Sequence, residues 1–135
     1  MSAFFGFKLK DYIYVEVEIR SLKYDGQRYI GDIELKATRS ERDGSGFALC
    51  TTVVSVTINK ITHAICEGLC TGDLQPGGRT LGARSEFAIA TKPVNSILIT
   101  VTCDLNNGHT IKDQKSVKIK HGQWMDGGYY VSIIH

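Results

Sequence analysis

The sequence has no long apolar run. Its opening, Met1-Ser-Ala-Phe-Phe-Gly-Phe before Lys8, is too short for the hydrophobic region of a signal peptide and far short of the roughly 20 residues that cross a bilayer. That absence predicts a chain kept in the cytosol by default, with release by a leaderless route as the alternative. Charge of one sign is scarce as well: 16 Lys and Arg stand against 14 Asp and Glu, a formal net charge of +2, too little to predict a nucleic-acid binder. With 2 prolines and 4 cysteines in 135 residues, neither a collagen nor a small disulfide scaffold fits. Hydrophobic residues at 42% and charged residues at 22% exclude a disordered tail and a coiled coil. A chain of this size buries about two-thirds of its unfolded surface, enough for one core, so residues 1–135 read as a single domain.

Helical periodicity is also missing, and period two takes its place. Over residues 12–20, Ile13, Val15, Val17 and Ile19 alternate with Tyr14, Glu16, Glu18 and Arg20, the pattern of a half-buried strand. Asp25-Gly26 supplies a turn, and residues 29–38 alternate again through Ile33, Leu35 and Ala37. Residues 40–46 form a polar, glycine-punctuated loop. The Thr- and Val-rich stretch 47–58 reads as a central strand covered on both faces. Residues 61–70 fit either a strand or a short helix. Gly68 within it, and no N-cap before it except Asn59, favour the strand. Glycines over 71–82 mark the longest loop, and strands follow at 86–91, 96–104, 110–120 and 128–135. Eight or nine short strands with frequent turns predict an all-β antiparallel sandwich, Ig-like or jelly-roll-like, with a small β-barrel as the alternative.

One hairpin can be placed in register. A two-residue turn at Asn107-Gly108 would set Cys103 against Lys112. A three-residue loop of 106–108, with Gly108 left-handed, instead pairs Cys103 with Ile111 and Ile97 with Val117. The second register keeps the apolar residues on one face and is the one expected.

Chemistry-bearing constellations are few. His63, Cys66 and Cys70 would share one face of a helix and could gather on zinc, with Cys50 or Cys103 as a fourth ligand. Buried core cysteines are the simpler expectation, so no metal or cofactor is assigned. A disulfide among the four cysteines would need an oxidising setting. No cysteine sits at a helix start that would activate it, and no Gly-x-Ser-x-Gly occurs; Gly44-Ser45-Gly46 reads as a loop tip. Glu16/Glu18 and Asp32/Glu34 occupy outward positions of alternating strands, where carboxylates are ordinary solvated groups. Residues 75–79 lack the Gly-Lys-Ser/Thr of a phosphate loop. With no catalytic motif, the expectation is a protein that is not an enzyme.

Binding character gathers near the carboxyl end, where His121, Gln123, Trp124, Asp126, Tyr129 and Tyr130 lie between two strands. Aromatic rings with amide and carboxylate neighbours suit a glycan, and the same rings suit a lipid headgroup layer. Alternatively Trp124 plugs the end of the sandwich and the tyrosines alternate in and out. Lys112, Lys115, Lys118 and Lys120, opposed locally by Asp113, read either as the solvated edge of a strand or as a contact for an anionic surface. Phe4, Phe5 and Phe7 fit core or a sticky edge. The leading expectation is therefore a non-enzymatic module that binds a glycan or lipid surface through the carboxyl-terminal cluster. Two rivals are a homo-oligomeric assembly protein, using the aromatic amino-terminal strand and residues 47–58, and a thiol or metal protein built on His63, Cys66 and Cys70.

Overall fold

The computed structural model describes residues 3–10, 13–39, 50–70, 80–105, 110–123 and 129–134. Among them are nine strands and no helix: β1 (Ala3–Lys10), β2 (Ile13–Tyr24), β3 (Arg28–Arg39), β4 (Cys50–Ile58), β5 (Ile61–Cys70), β6 (Thr80–Ala90), β7 (Ser96–Leu105), β8 (Thr110–Gln123) and β9 (Tyr129–Ile134). All pairings are antiparallel, and the strands form one sheet in the order β5-β4-β7-β8-β9-β2-β3-β6, with β1 also on β2. The two ends of that path approach each other. The position a Cβ would take on Gly68 of β5 is 3.5 Å from Leu35 Cδ2 and 3.7 Å from Ala83 Cβ of β6. The sheet thus curls into a nearly closed antiparallel barrel, within the all-β sandwich or barrel class expected from the alternation. Among the described residues no helix is long and apolar enough to cross a membrane.

Alternation builds the core. Val15, Val17 and Ile19 of β2 face Ile33, Leu35 and Ala37 of β3, Val54, Val56 and Ile58 of β4, and Ile97, Ile99, Val101 and Cys103 of β7, all buried. Each such aliphatic side chain contributes roughly 1.5–3 kcal/mol on leaving water. In β2 the pairing steps from Ile19↔Ile33 to Ser21↔Asp32. Arg20 is the extra residue of this bulge, and it lets Leu22 and Tyr24 return to the core face. The β7–β8 register is Ile97↔Val117 and Cys103↔Ile111, as expected, because the alternative would have turned one strand's apolar set to water. The loop residues 106–109 lie outside the described residues.

Residues 61–70 are a strand. The β4–β5 hairpin turns on Asn59 and Lys60, with φ of 51° and 70°, the paired positive values that a type I′ turn requires, so Asn59 is a turn residue and caps nothing. Strand β4 is central, paired to β5 and β7. Its cover is complete on one face only, since Thr51, Val53, Ser55 and Thr57 are half-buried. Two boundaries also differ from expectation. Strand β6 begins at Thr80, where the glycines had suggested a loop, because Thr80 to Ala90 pair continuously with β3. Strand β8 runs on to Gln123, held by β9.

The outer face of β2, β3 and β6 carries an ion-pair lattice. Arg84 Nε lies 3.0 and 3.1 Å from the two Asp32 carboxylate oxygens and Nη2 lies 2.6 Å from Oδ2. Arg20 is 3.1 Å from Glu34 and 3.9 Å from Asp32. The Arg84 guanidinium holds the Asp32 carboxyl below its ordinary value of 3.8. The unfolded chain therefore takes up this proton at higher pH than the folded one. The stabilisation is full above that value and is lost as pH falls below it and through the lower value of the folded carboxyl. Urea midpoints measured at pH 7 and pH 3 should consequently fall less in Asp32→Asn than in the wild type. Equal falls would remove Asp32 from the acid response.

Candidate functional site

The β2–β3 hairpin places the first elements of the site. The Asp25 carboxylate accepts the backbone N–H groups of Gln27 at 2.8 Å and Arg28 at 2.7 Å, while Gly26 takes a φ of 97°. This closes the turn and sets Tyr24 opposite Tyr29 on the core side, with ring centroids 4.6 Å apart. Both phenols then reach across to the segment before β7. The Tyr24 hydroxyl donates to the Thr91 carbonyl at 2.8 Å, and the Tyr29 hydroxyl accepts the Val94 N–H at 2.9 Å. His121 Nε2 lies 2.8 Å from the same Tyr29 hydroxyl, closer than the Val94 carbonyl at 3.4 Å. Burial pushes the Tyr29 phenol above its ordinary value of 10, so it keeps its proton at neutral pH and can donate it to that imidazole nitrogen.

Above this anchored layer is a cavity of about 450 Å³ lined by Tyr24, Gly26, Pro93, His121 and Tyr129. The Tyr129 ring centroid is 6.3 Å from that of Tyr24, and Tyr129 is 39% exposed. Its lining therefore combines aromatic and aliphatic residues with an imidazole and phenols as polar groups, the usual make-up of a small-molecule site.

Of the expected residues, the structure brings His121 and Tyr129 together. His121 follows Val117 and Ile119 on the inward side of β8, and Tyr129 shares the inward side of β9 with Val131. Tyr130 points the other way, and its ring crosses Gly122 on the outer face, where any side chain would collide with it. The expected single cluster is thus divided between two faces of the sheet. Gln123 pairs with Tyr129 through the backbone. Its side chain, Trp124 and Asp126 lie outside the described residues. The lysines divide too. Lys112, Lys118 and Lys120 share the outer face of β8, whereas Lys115 has the opposite parity and its Nζ sits 5.2 Å over the Phe7 ring. Tyr24, Tyr29 and Pro93 were missed. The available signal was two polar-tipped aromatics at inward positions on either side of Asp25-Gly26.

The other candidate chemistry dissolves. On an extended strand the positions of His63, Cys66 and Cys70 spread over roughly 20 Å at about 3.3 Å per residue, so they cannot meet at one ion. Among the described residues no group of three His, Cys, Asp or Glu could hold a metal. Cys66 and Cys103 are buried, and burial pushes the Cys66 thiol up, away from the reactive thiolate. Glu18, Asp32 and Glu34 are engaged by Arg20, Arg84 and Lys36. No protein-family model matches the chain, and no curated protein matches it.

Proposed function

We propose that the protein is a non-enzymatic binding module whose aromatic cavity receives a sugar residue of a glycan. The observation that carries this is the cavity itself, with the exposed Tyr129 offering a ring on which the C–H face of a sugar stacks and the buried Tyr24 ring backing it. His121 and the Tyr129 hydroxyl are the polar groups of the lining that sugar hydroxyls would use as hydrogen-bond partners. Tyr24 and Tyr29 are held in place by Thr91, Val94 and His121, so little ordering remains for a ligand to induce. Trp124, Gln123 and Asp126 belong to the same proposal on sequence grounds alone, as they lie in the chain between His121 and Tyr129. The homo-oligomer alternative has less to draw on, since β4 is already paired on both edges.

A glycan array identifies a ligand, and calorimetry on that ligand tests the site. Tyr129→Ala, at an exposed position, should fold normally and lose at least about 2 kcal/mol of binding, some thirtyfold. Trp124→Ala should weaken the same ligand. An array without hits, or full affinity in Tyr129→Ala, would sink the proposal.

A further inference from the structure

The outer face where β8, β9 and β2 meet carries a second feature, separate from the cavity. Across β8 and β9, Lys118 pairs with Ile134, Lys120 with Ser132 and Gly122 with Tyr130, and across β9 and β2, Tyr130 pairs with Lys23. Because Ile119, His121 and Val131 point inward, alternation turns all of these residues outward. Tyr130 is 43% exposed and Ile134 49% exposed, and Lys23, Lys118 and Lys120 are exposed around them. No acidic residue occupies any of these register positions. Among the described residues none of these three lysines has an ion-pair partner, whereas the carboxylates Glu18, Asp32 and Glu34 on the β2–β3 face are taken up by Arg20, Arg84 and Lys36.

From this charge pattern we infer that the Lys23/Lys118/Lys120 face, with Tyr130 and Ile134 between the lysines, docks onto an anionic lipid bilayer. Three uncompensated ammonium groups on one face repel one another and are complementary to a sheet of lipid phosphates and carboxylates. A tyrosine among them matches the headgroup layer, where an amphipathic ring is apolar on its face and wet at its hydroxyl. Ile134 decides against a nucleic-acid partner. An aliphatic side chain offers a base neither a stacking surface nor a hydrogen bond, but it gains by entering the acyl boundary. Each lysine near an anionic surface is worth roughly fivefold in binding, so the three favour anionic over neutral vesicles by about a hundredfold.

The test is co-sedimentation with vesicles of phosphatidylcholine alone or with a third of phosphatidylserine, at low and high salt. The wild type should bind the anionic vesicles and release them at high salt, because the attraction is screened within a Debye length. Lys118→Gln with Lys120→Gln should cost roughly 25-fold in vesicle binding, and Tyr130→Ser should weaken it severalfold while melting temperature stays unchanged. Tyr129→Ala, the cavity variant, should bind vesicles normally, so loss of the glycan proposal leaves this result standing. Equal binding to both vesicle types, no vesicle binding by the wild type, or indifference to the lysine variants would overturn the inference. So would tighter, lysine-dependent binding to a single-stranded oligonucleotide than to vesicles.

Discussion

Tyr29→Ala is expected to lose about 3–5 kcal/mol of folding stability, the range for truncating a large buried aromatic side chain. The ring is fully buried among Tyr24, His121 and the core, and its hydroxyl satisfies the Val94 N–H and His121 Nε2. Truncation therefore opens a cavity and orphans two polar groups together. Tyr29→Phe separates the two effects. It keeps the ring and should cost about 1–3 kcal/mol, the penalty for leaving a buried donor without its acceptor. Urea denaturation of the three proteins gives the order wild type, Phe, Ala. A Phe variant as stable as the wild type would show that the hydroxyl network carries no stability, and with it the claim that segment 91–95 is anchored by that phenol would fall.

Phe7→Ala should be nearly as damaging, at about 3–5 kcal/mol, while Phe4→Ala should stay within about 0.5 kcal/mol. The two residues sit on one short strand and differ only in parity. Phe7 is fully buried with the Lys115 ammonium above its ring, and Phe4 is 55% exposed. Among the described strands β1 pairs with β2, and Phe7 is its largest fully buried side chain. Thermal melts of both variants, with amide exchange in β1, measure the contrast. Similar losses from Phe4 and Phe7 would mean that the strand is held by its backbone ladder and not by the aromatic.

The same parity rule explains what could be read from the chain and what could not. The strands, and the register of β7 on β8, were legible because sliding a strand by one residue turns Ile97, Ile99, Val101 and Cys103 from core to solvent. Strand β5 was legible for a weaker reason, the glycine that a short helix would not hold. The start of β6 was not, because Thr80, Gly82 and Arg84 look like loop residues until β3 supplies their partners. The cavity was half legible. His121 and Tyr129 stood out near the only tryptophan, but their partners Tyr24, Tyr29 and Pro93 lie far away in sequence and are joined to them only by the closing of the sheet. Tyr130 misled because nearness in sequence was read as nearness in space, whereas adjacent strand residues point to opposite faces.

The joint at β9 also orders events in time. Hairpins β2–β3, β4–β5 and β7–β8 close over short stretches of chain, but β2 meets β9 only through Lys23↔Tyr130 and Tyr24↔Tyr129, about a hundred residues apart along the chain. Loop closure makes that contact a late one. A nascent chain that has made β2 and β8 but not yet β9 therefore carries a bare β8 edge, open to pairing with a neighbouring chain, and a bare end of β2 at Lys23 and Tyr24, since β1 covers the rest of the β2 edge. The arrival of β9 completes the cavity wall, sets the lysine face and withdraws the β8 edge from aggregation in a single step.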